Sequence, residues 1–306
     1  MLGIFRLPNL IIVAATQYLL HYLVLMPALN SAGLSPSLNL FHFSLLVFTT
    51  VLIAAGGYVI NDIIDYKTDL INKPEKVFIG NVISPFSATL IYGLLTTLGT
   101  AIALYLADHV NNYWLFFIYP AMVILLFFYS VFFKKMPIIG NVVVSFFCAG
   151  VAGVVLFSER KAFATILDTQ PELGQTIKTL FYGYIIFAFI TTLLREVIKD
   201  MEDVAGDELT GLKTLPITFG MKTARHFSLS ISFVLLIGVF VSNVWLSKQH
   251  EWLGVIFSFA FLISPMLYVS YLIIESKHKQ HFTTLSKWMK LIMLAGLILL
   301  IVIWKS

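Results

Sequence analysis

The sequence predicts an all-α, polytopic membrane protein, and three observations carry that prediction. First, 59% of the 306 residues are hydrophobic and only 12% are charged, whereas a soluble domain carries about 25% charged and about 45–50% apolar residues. Second, apolar runs of the roughly 20 residues needed to cross a bilayer recur along the chain. Third, Lys and Arg gather in alternate connecting loops, the asymmetry that orients membrane helices. Lipid takes the place of water around the apolar surplus.

Nine candidate spans follow in order, at about 9–29, 41–60, 86–107, 113–133, 139–157, 177–195, 226–247, 252–274 and 285–304. The first is preceded by Arg6, is too long for the core of a cleaved signal peptide and is followed by further spans, so it reads as a retained helix. No long hydrophilic stretch separates the spans, which predicts one membrane domain over 1–306. The N-terminus and the loops after the second, fourth, sixth and eighth spans, counted with the helix turns that adjoin them, hold fifteen of the 20 Lys and Arg residues. The positive-inside rule then places the N-terminus in the cytoplasm and the C-terminus outside, and an odd span count agrees. The setting expected is a cell (inner) membrane. The net charge of +4 includes no basic stripe away from the membrane-flanking loops, which argues against a nucleic-acid partner. The single cysteine, Cys148, sits in an apolar run and reads as a small buried hydrophobe.

Ten of the 16 acidic residues fall within 61–75 and 196–208, at span ends on the expected cytoplasmic side, and each stretch contains a shorter patterned run. One reads Asn61-Asp62-Ile63-Ile64-Asp65-Tyr66-Lys67-Thr68-Asp69, the other Asp200-Met201-Glu202-Asp203-Val204-Ala205-Gly206-Asp207. Both contain D-x-x-D-x-x-x-D, at a constant offset of 138 residues. On a helix these spacings put three carboxylates within a wedge of roughly 60°. Such carboxylates repel one another unless a cation intervenes. Carboxylate oxygens without His or Cys suit magnesium rather than zinc. Six Asp, two magnesium ions and a diphosphate leave an anionic assembly that calls for further cations. Lys73, Lys76, Lys134, Lys135, Arg195, Lys199 and Lys213 lie on the same expected face, and Arg and Lys are the usual phosphate partners. For the lysines alone, interfacial solvation is an equally good reading; for six matched aspartates at span margins it is a poor one.

These residues resemble the UbiA superfamily of intramembrane prenyltransferases. Asn61, Asp62, Asp65 and Asp69 meet its N-D-x-x-D-x-x-x-D signature, and Asn72-Lys73-Pro74-Glu75-Lys76 is similar to its N-[KR]-P-x-[KR] continuation. Asp200, Asp203 and Asp207 meet the second signature, and Tyr129-Ser130 followed by Lys134 resembles its Y-S-x-x-x-K element. Arg6-Leu7-Pro8-Asn9, the run 194–200 and Gly211-Leu212-Lys213-Thr214-Leu215-Pro216 are most similar to the digeranylgeranylglyceryl phosphate synthase branch. Val77-Phe78-Ile79 departs from the polar continuation common in relatives.

The resemblance implies nine transmembrane helices around a central cavity, and a prenyl diphosphate whose head magnesium bridges between the clusters. Asp62, Asp65, Asp200 and Asp203 are the expected catalytic, metal-holding residues, with Asp69 and Asp207 next to the metal. Asn61, Lys73, Lys76, Tyr129, Ser130, Lys134, Arg195, Lys199, Lys213, Arg6 and Asn9 complete the expected substrate-binding set. Tyr129, Phe132 and Tyr66 are the aromatics expected to face an allylic cation. The expected reaction transfers a prenyl group, geranylgeranyl first among donors, to geranylgeranylglyceryl phosphate. An aromatic acceptor of quinone, chlorophyll or homogentisate type remains open. So, more distantly, does cation transport, although transporter acids sit nearer mid-bilayer.

Overall fold

The structure is a computed structural model and describes residues 2–72, 74–276 and 278–305, with the side chains of residues 2, 3, 72, 76 and 305 left aside. Among the described residues its regular structure is helical, with no strand and a single isolated bridge between Ile79 and Ile83. Among the described residues nine helices are long and apolar enough to cross a bilayer: α1 (Leu7–Ser31), α2 (Leu40–Ile64), α3 (Pro85–His109), α4 (Trp114–Lys135), α5 (Ile139–Ser158), α6 (Pro171–Leu209), α7 (Met221–Lys248), α8 (Trp252–Glu275) and α9 (Lys279–Trp304). The expected nine spans are all present, and the chain is a multi-pass membrane protein.

Helix ends depart from the hydropathy boundaries where polar residues continue the helix beyond the apolar run. The widest difference is α6, expected over 177–195 and observed as one 39-residue helix from Pro171 to Leu209. Backbone hydrogen bonding continues past the lipid-facing residues, and the extension carries the whole second aspartate cluster. Local starts follow the sequence. Asn39 accepts from the His42 amide at the start of α2, and Ser84 accepts from Ser87 before Pro85 opens α3. Both are ordinary N-caps.

The chain divides into two compact units, Met1–Lys134 with Val151–Ile177, and Lys135–Gly150 with Lys178–Ser306. In the first, α2 packs closely on α3: a Cβ on Gly56 would lie 2.9 Å from Thr96, and one on Gly99 would lie 2.9 Å from Ile53. Small residues permit this approach where lipid offers no hydrophobic drive for helix association. Buried amides add polar ties, with Gln17 donating to Thr50 at 3.1 Å and to the Val151 carbonyl at 3.2 Å. A smaller apolar cluster of Ile4, Val59, Ile79, Ile83 and Ala88 lies beneath the loop after the first aspartate cluster. In the second unit, Leu194, Val197, Ile198 and Met201 on α6 pack with residues of α7, α8 and α9. That face of α6 is held by the core, which leaves its aspartates on another.

Candidate functional site

The first cluster sits where a helix breaks. Helix α2 ends at Ile64, Asp65 follows with φ −81° and ψ 0°, and a short helix runs from Tyr66 to Asn72. The expected single helix through Asp62, Asp65 and Asp69 is therefore interrupted at its middle carboxylate. Helical hydrogen bonds still run across the break, from the Asp65 amide to the Asn61 carbonyl at 2.8 Å and from the Asp69 amide to the Asp65 carbonyl at 2.9 Å. They preserve the i, i+4 relation although the helix is not continuous.

Cations of the same unit meet these carboxylates. Arg6 Nη2 donates to Asp62 Oδ1 at 2.6 Å, and its guanidinium lies 4.9 Å from the centre of the Tyr58 ring, one turn earlier on α2. Arg6 adopts φ 49°, a left-handed conformation uncommon for a side chain of this size. The contacts with Asp62 and Tyr58 hold it there. Desolvation opposes the charge on Arg6, but Asp62, Tyr58 and Asp69 together outweigh it and hold the guanidinium above its ordinary range. Asp65 is 5% exposed; it accepts from Asn61 Nδ2 at 2.6 Å and pairs with the Lys134 ammonium. Asn61 and Asp65 of the first signature thus form one cluster with Lys134, which belongs to a separate motif.

The remaining candidates of the first unit are less engaged. Asn9 lies in the first turn of α1, its amide donating to the Arg6 carbonyl at 2.8 Å. Ser130 is buried and donates to the Leu126 carbonyl of its own helix at 3.1 Å. Tyr129 and Tyr66 are half-buried, and Phe132 is exposed, stacked on Phe128. Lys73 and the side chain of Lys76 lie outside the described residues.

The departure at Val77-Phe78-Ile79 has a packing explanation. Ile79 is 3% exposed and belongs to the apolar cluster under this loop, with Phe78 packed against it. Gly80 turns the chain at φ 85°, its α-carbon facing Tyr66: a Cβ there would lie 3.2 Å from the phenol oxygen.

The second cluster lies wholly within α6, so Asp200, Asp203 and Asp207 share a helix face as the spacing predicts. Asp203 and Asp207 are buried and Asp200 half-buried. Asp200 Oδ2 accepts from Asn141 Nδ2, on the first turn of α5, at 2.8 Å. Asn141 is absent from the expected site; its signal is an amide inside an apolar run, which calls for a partner. Glu196 gains a role as well. Arg195 donates to it at 2.7 Å, and Lys199 lies 3.9 Å away. Lys213 is exposed, its backbone amide donating to the Lys135 carbonyl at 3.3 Å. Glu202, beside these aspartates on α6, accepts from Thr283 at 2.9 Å.

The donor chemistry of both clusters fits magnesium: carboxylate oxygens, with neither His nor Cys in the motifs. Among the described residues, no group of three or more His, Cys, Asp and Glu side chains stands as a ready cage.

The spans and the two motifs define a multi-pass membrane protein that carries a pair of matched carboxylate clusters. The match is specific: the model of the UbiA prenyltransferase family covers residues 22–295, and the chain belongs to that family. Similar curated proteins include the digeranylgeranylglyceryl phosphate synthases of Hyperthermus butylicus, 32% identical over 59% of this chain and 56% of that protein, and Thermococcus kodakarensis, 31% identical over 65% and 64%. The matched stretch thus spans less than two thirds of these relatives' own lengths. Among solved structures, a UbiA homolog from Aeropyrum pernix aligns with TM-score 0.64 at 16% identity, covering 95% of this chain and 97% of that one. A UbiA homolog from Archaeoglobus fulgidus bound to DMAPP and Mg2+ aligns with TM-score 0.53 at 18% identity, each chain 98% covered. These structures share the fold.

Proposed function

We propose that this chain is a magnesium-dependent prenyltransferase that moves a geranylgeranyl group from its diphosphate to the free hydroxyl of geranylgeranylglyceryl phosphate, the whole chain acting as one membrane domain. The observation that carries the reading is the pair of matched carboxylate motifs, in a chain similar to digeranylgeranylglyceryl phosphate synthases. The Archaeoglobus homolog bound to DMAPP and Mg2+ supports the choice of metal and donor class.

In this reading Asp62, Asp65, Asp200 and Asp203 hold magnesium, with Asp69 and Asp207 beside them. Bound there, the metal supplies charge neutralisation for the departing diphosphate. Asn61, Lys73, Lys76, Lys134, Arg195, Lys199 and Lys213 bind phosphate oxygens, and preorganised cations favour the charge that grows as the donor C–O bond breaks. Arg6, Lys134 and Lys135 bind the acceptor's phosphate. Tyr129, Ser130 and the neighbouring aromatics border the allylic carbon and exclude water from it. The acceptor hydroxyl oxygen forms the new C–O bond and gives up its proton, and diphosphate leaves. The prenyl chain lies along apolar helix faces, which accounts for the membrane setting. The clusters face the cytoplasm, with the N-terminus inside and the C-terminus outside, in keeping with the charge distribution of the loops.

The test uses purified protein in lipid with magnesium, labelled geranylgeranyl diphosphate, and either geranylgeranylglyceryl phosphate or 4-hydroxybenzoate. Ether-lipid product that disappears with a chelator and in Asp62→Ala and Asp200→Ala is the expected result. Product from the aromatic acid alone moves the acceptor to the aromatic class. Absence of donor binding overturns the prenyltransferase reading.

A further inference from the structure

Asn141 lies outside both aspartate motifs, yet its side chain reaches the leading carboxylate of the second. The amide is 7% exposed and its Nδ2 lies 2.8 Å from Asp200 Oδ2, both residues within the second unit. Bonding one carboxylate oxygen fixes the rotamer of Asp200 and with it the direction of the other oxygen.

The segment before Asn141 is built to hold it in place. Ile138 adopts φ 66°, a strained conformation for a β-branched residue that persists only where surroundings over-determine it. Lys213 ties the same turn down through its bond to the Lys135 carbonyl. Helix α5 begins at Ile139, so Asn141 occupies its first turn. Ser145 donates to the Asn141 carbonyl at 2.6 Å. The positive end of the α5 dipole also favours a carboxylate at that position.

The choice of an amide matters. A Lys or Arg in this place would orient Asp200 and cancel its charge as well. A neutral donor orients the carboxylate and leaves its charge available to a cation. We propose that Asn141 is a positioning residue, one that presets Asp200 to receive the divalent metal. The inference rests on the magnesium reading of the site given above.

The experiment measures Mn2+ binding by electron paramagnetic resonance, with inorganic pyrophosphate present, on the full-length protein in lipid nanodiscs. Wild type is compared with Asn141→Leu, an apolar replacement of similar size, and Asn141→Ser, which keeps a short hydroxyl donor. Loss of a second-layer partner to a metal ligand weakens metal affinity by about 10–100-fold. Asn141→Leu is expected to weaken Mn2+ binding within that range and to raise the magnesium needed for half-maximal activity, with thermal stability near wild type. Asn141→Ser is expected to fall between the two. Binding equal to wild type in both variants overturns the inference while leaving the magnesium reading intact, as does a loss of stability with unchanged affinity in the folded fraction. If Asn141→Leu does not fold, the Asn141→Ser affinity decides by the same criterion. Wild type that binds no Mn2+ overturns the magnesium reading, and this inference with it.

Discussion

Asp62 and Asp65 accept from cations, Arg6 and Lys134, while Asp200, which opens the second motif, accepts from the neutral amide of Asn141. The first motif straddles a helix break at Asp65, whereas the second runs unbroken through α6. One sequence pattern, repeated at a fixed offset, therefore sits in two physical settings. A carboxylate paired with a partly enclosed ammonium has part of its charge compensated by the protein, so a metal must compete for it. A carboxylate held by an amide is oriented without that competition. Under the proposed function, this difference would give Asp200 more of the metal affinity and Asp62 and Asp65, through Arg6 and Lys134, more of the phosphate contacts.

The largest expected effects test that division directly. Asp62→Asn and Asp200→Asn should each lower turnover by about 10²–10³, the scale seen when one preorganised electrostatic group is removed from an active site. The comparison is sharpened by Mn2+ affinity, which should fall further in Asp200→Asn than in Asp62→Asn. The reverse order would break the comparison and assign the dominant metal ligand to the first motif.

A smaller effect is expected from Lys134→Met. Its ammonium pairs with Asp65, and both groups are largely enclosed. Removing the cation leaves Asp65 with only the Asn61 amide among these partners. Loss of a charge-assisted bond of about 1.5–3 kcal/mol corresponds to roughly ten- to a hundredfold weaker binding of the diphosphate. Metal affinity measured without phosphate should rise, because a competitor for Asp65 is gone. A parallel fall in both affinities would mean that Lys134 only supports the fold.

Much of this was legible in the sequence, for identifiable reasons. Apolar runs report lipid contact, so all nine spans could be read from hydropathy alone. Hydropathy does not report backbone hydrogen bonding, and so α6 was read as 177–195 although it continues through Leu209. The six aspartates were legible because their spacing repeats. The pairings were not: Arg6 with Asp62 and Lys134 with Asp65 span 56 and 69 residues and arise from helix packing. Asn141 was invisible as a partner because one amide in an apolar run has no spacing to match. Glu196 stood among the acidic residues, but nothing in a linear reading distinguished it as the acceptor for Arg195.

The smallest expected effect concerns the loop that follows the first motif. Its apolar continuation looks like a lost phosphate contact when read as sequence, yet Ile79 packs with Ile4, Val59, Ile83 and Ala88. Val59 precedes Asp62 by three residues on α2, so this cluster braces the end of the helix that carries the carboxylate. Ile79→Ala removes buried methyl groups at a cost of about 2–4 kcal/mol, depending on how far the site collapses. A lower melting temperature in nanodiscs is expected, with Mn2+ affinity and turnover per folded molecule unchanged. If instead Ile79→Lys, which restores a polar continuation, matched wild-type stability and tightened pyrophosphate binding, the loop would be a phosphate-binding element after all. The first motif would then owe its cations to its own loop as well as to Arg6 and Lys134, and the contrast with the second would widen.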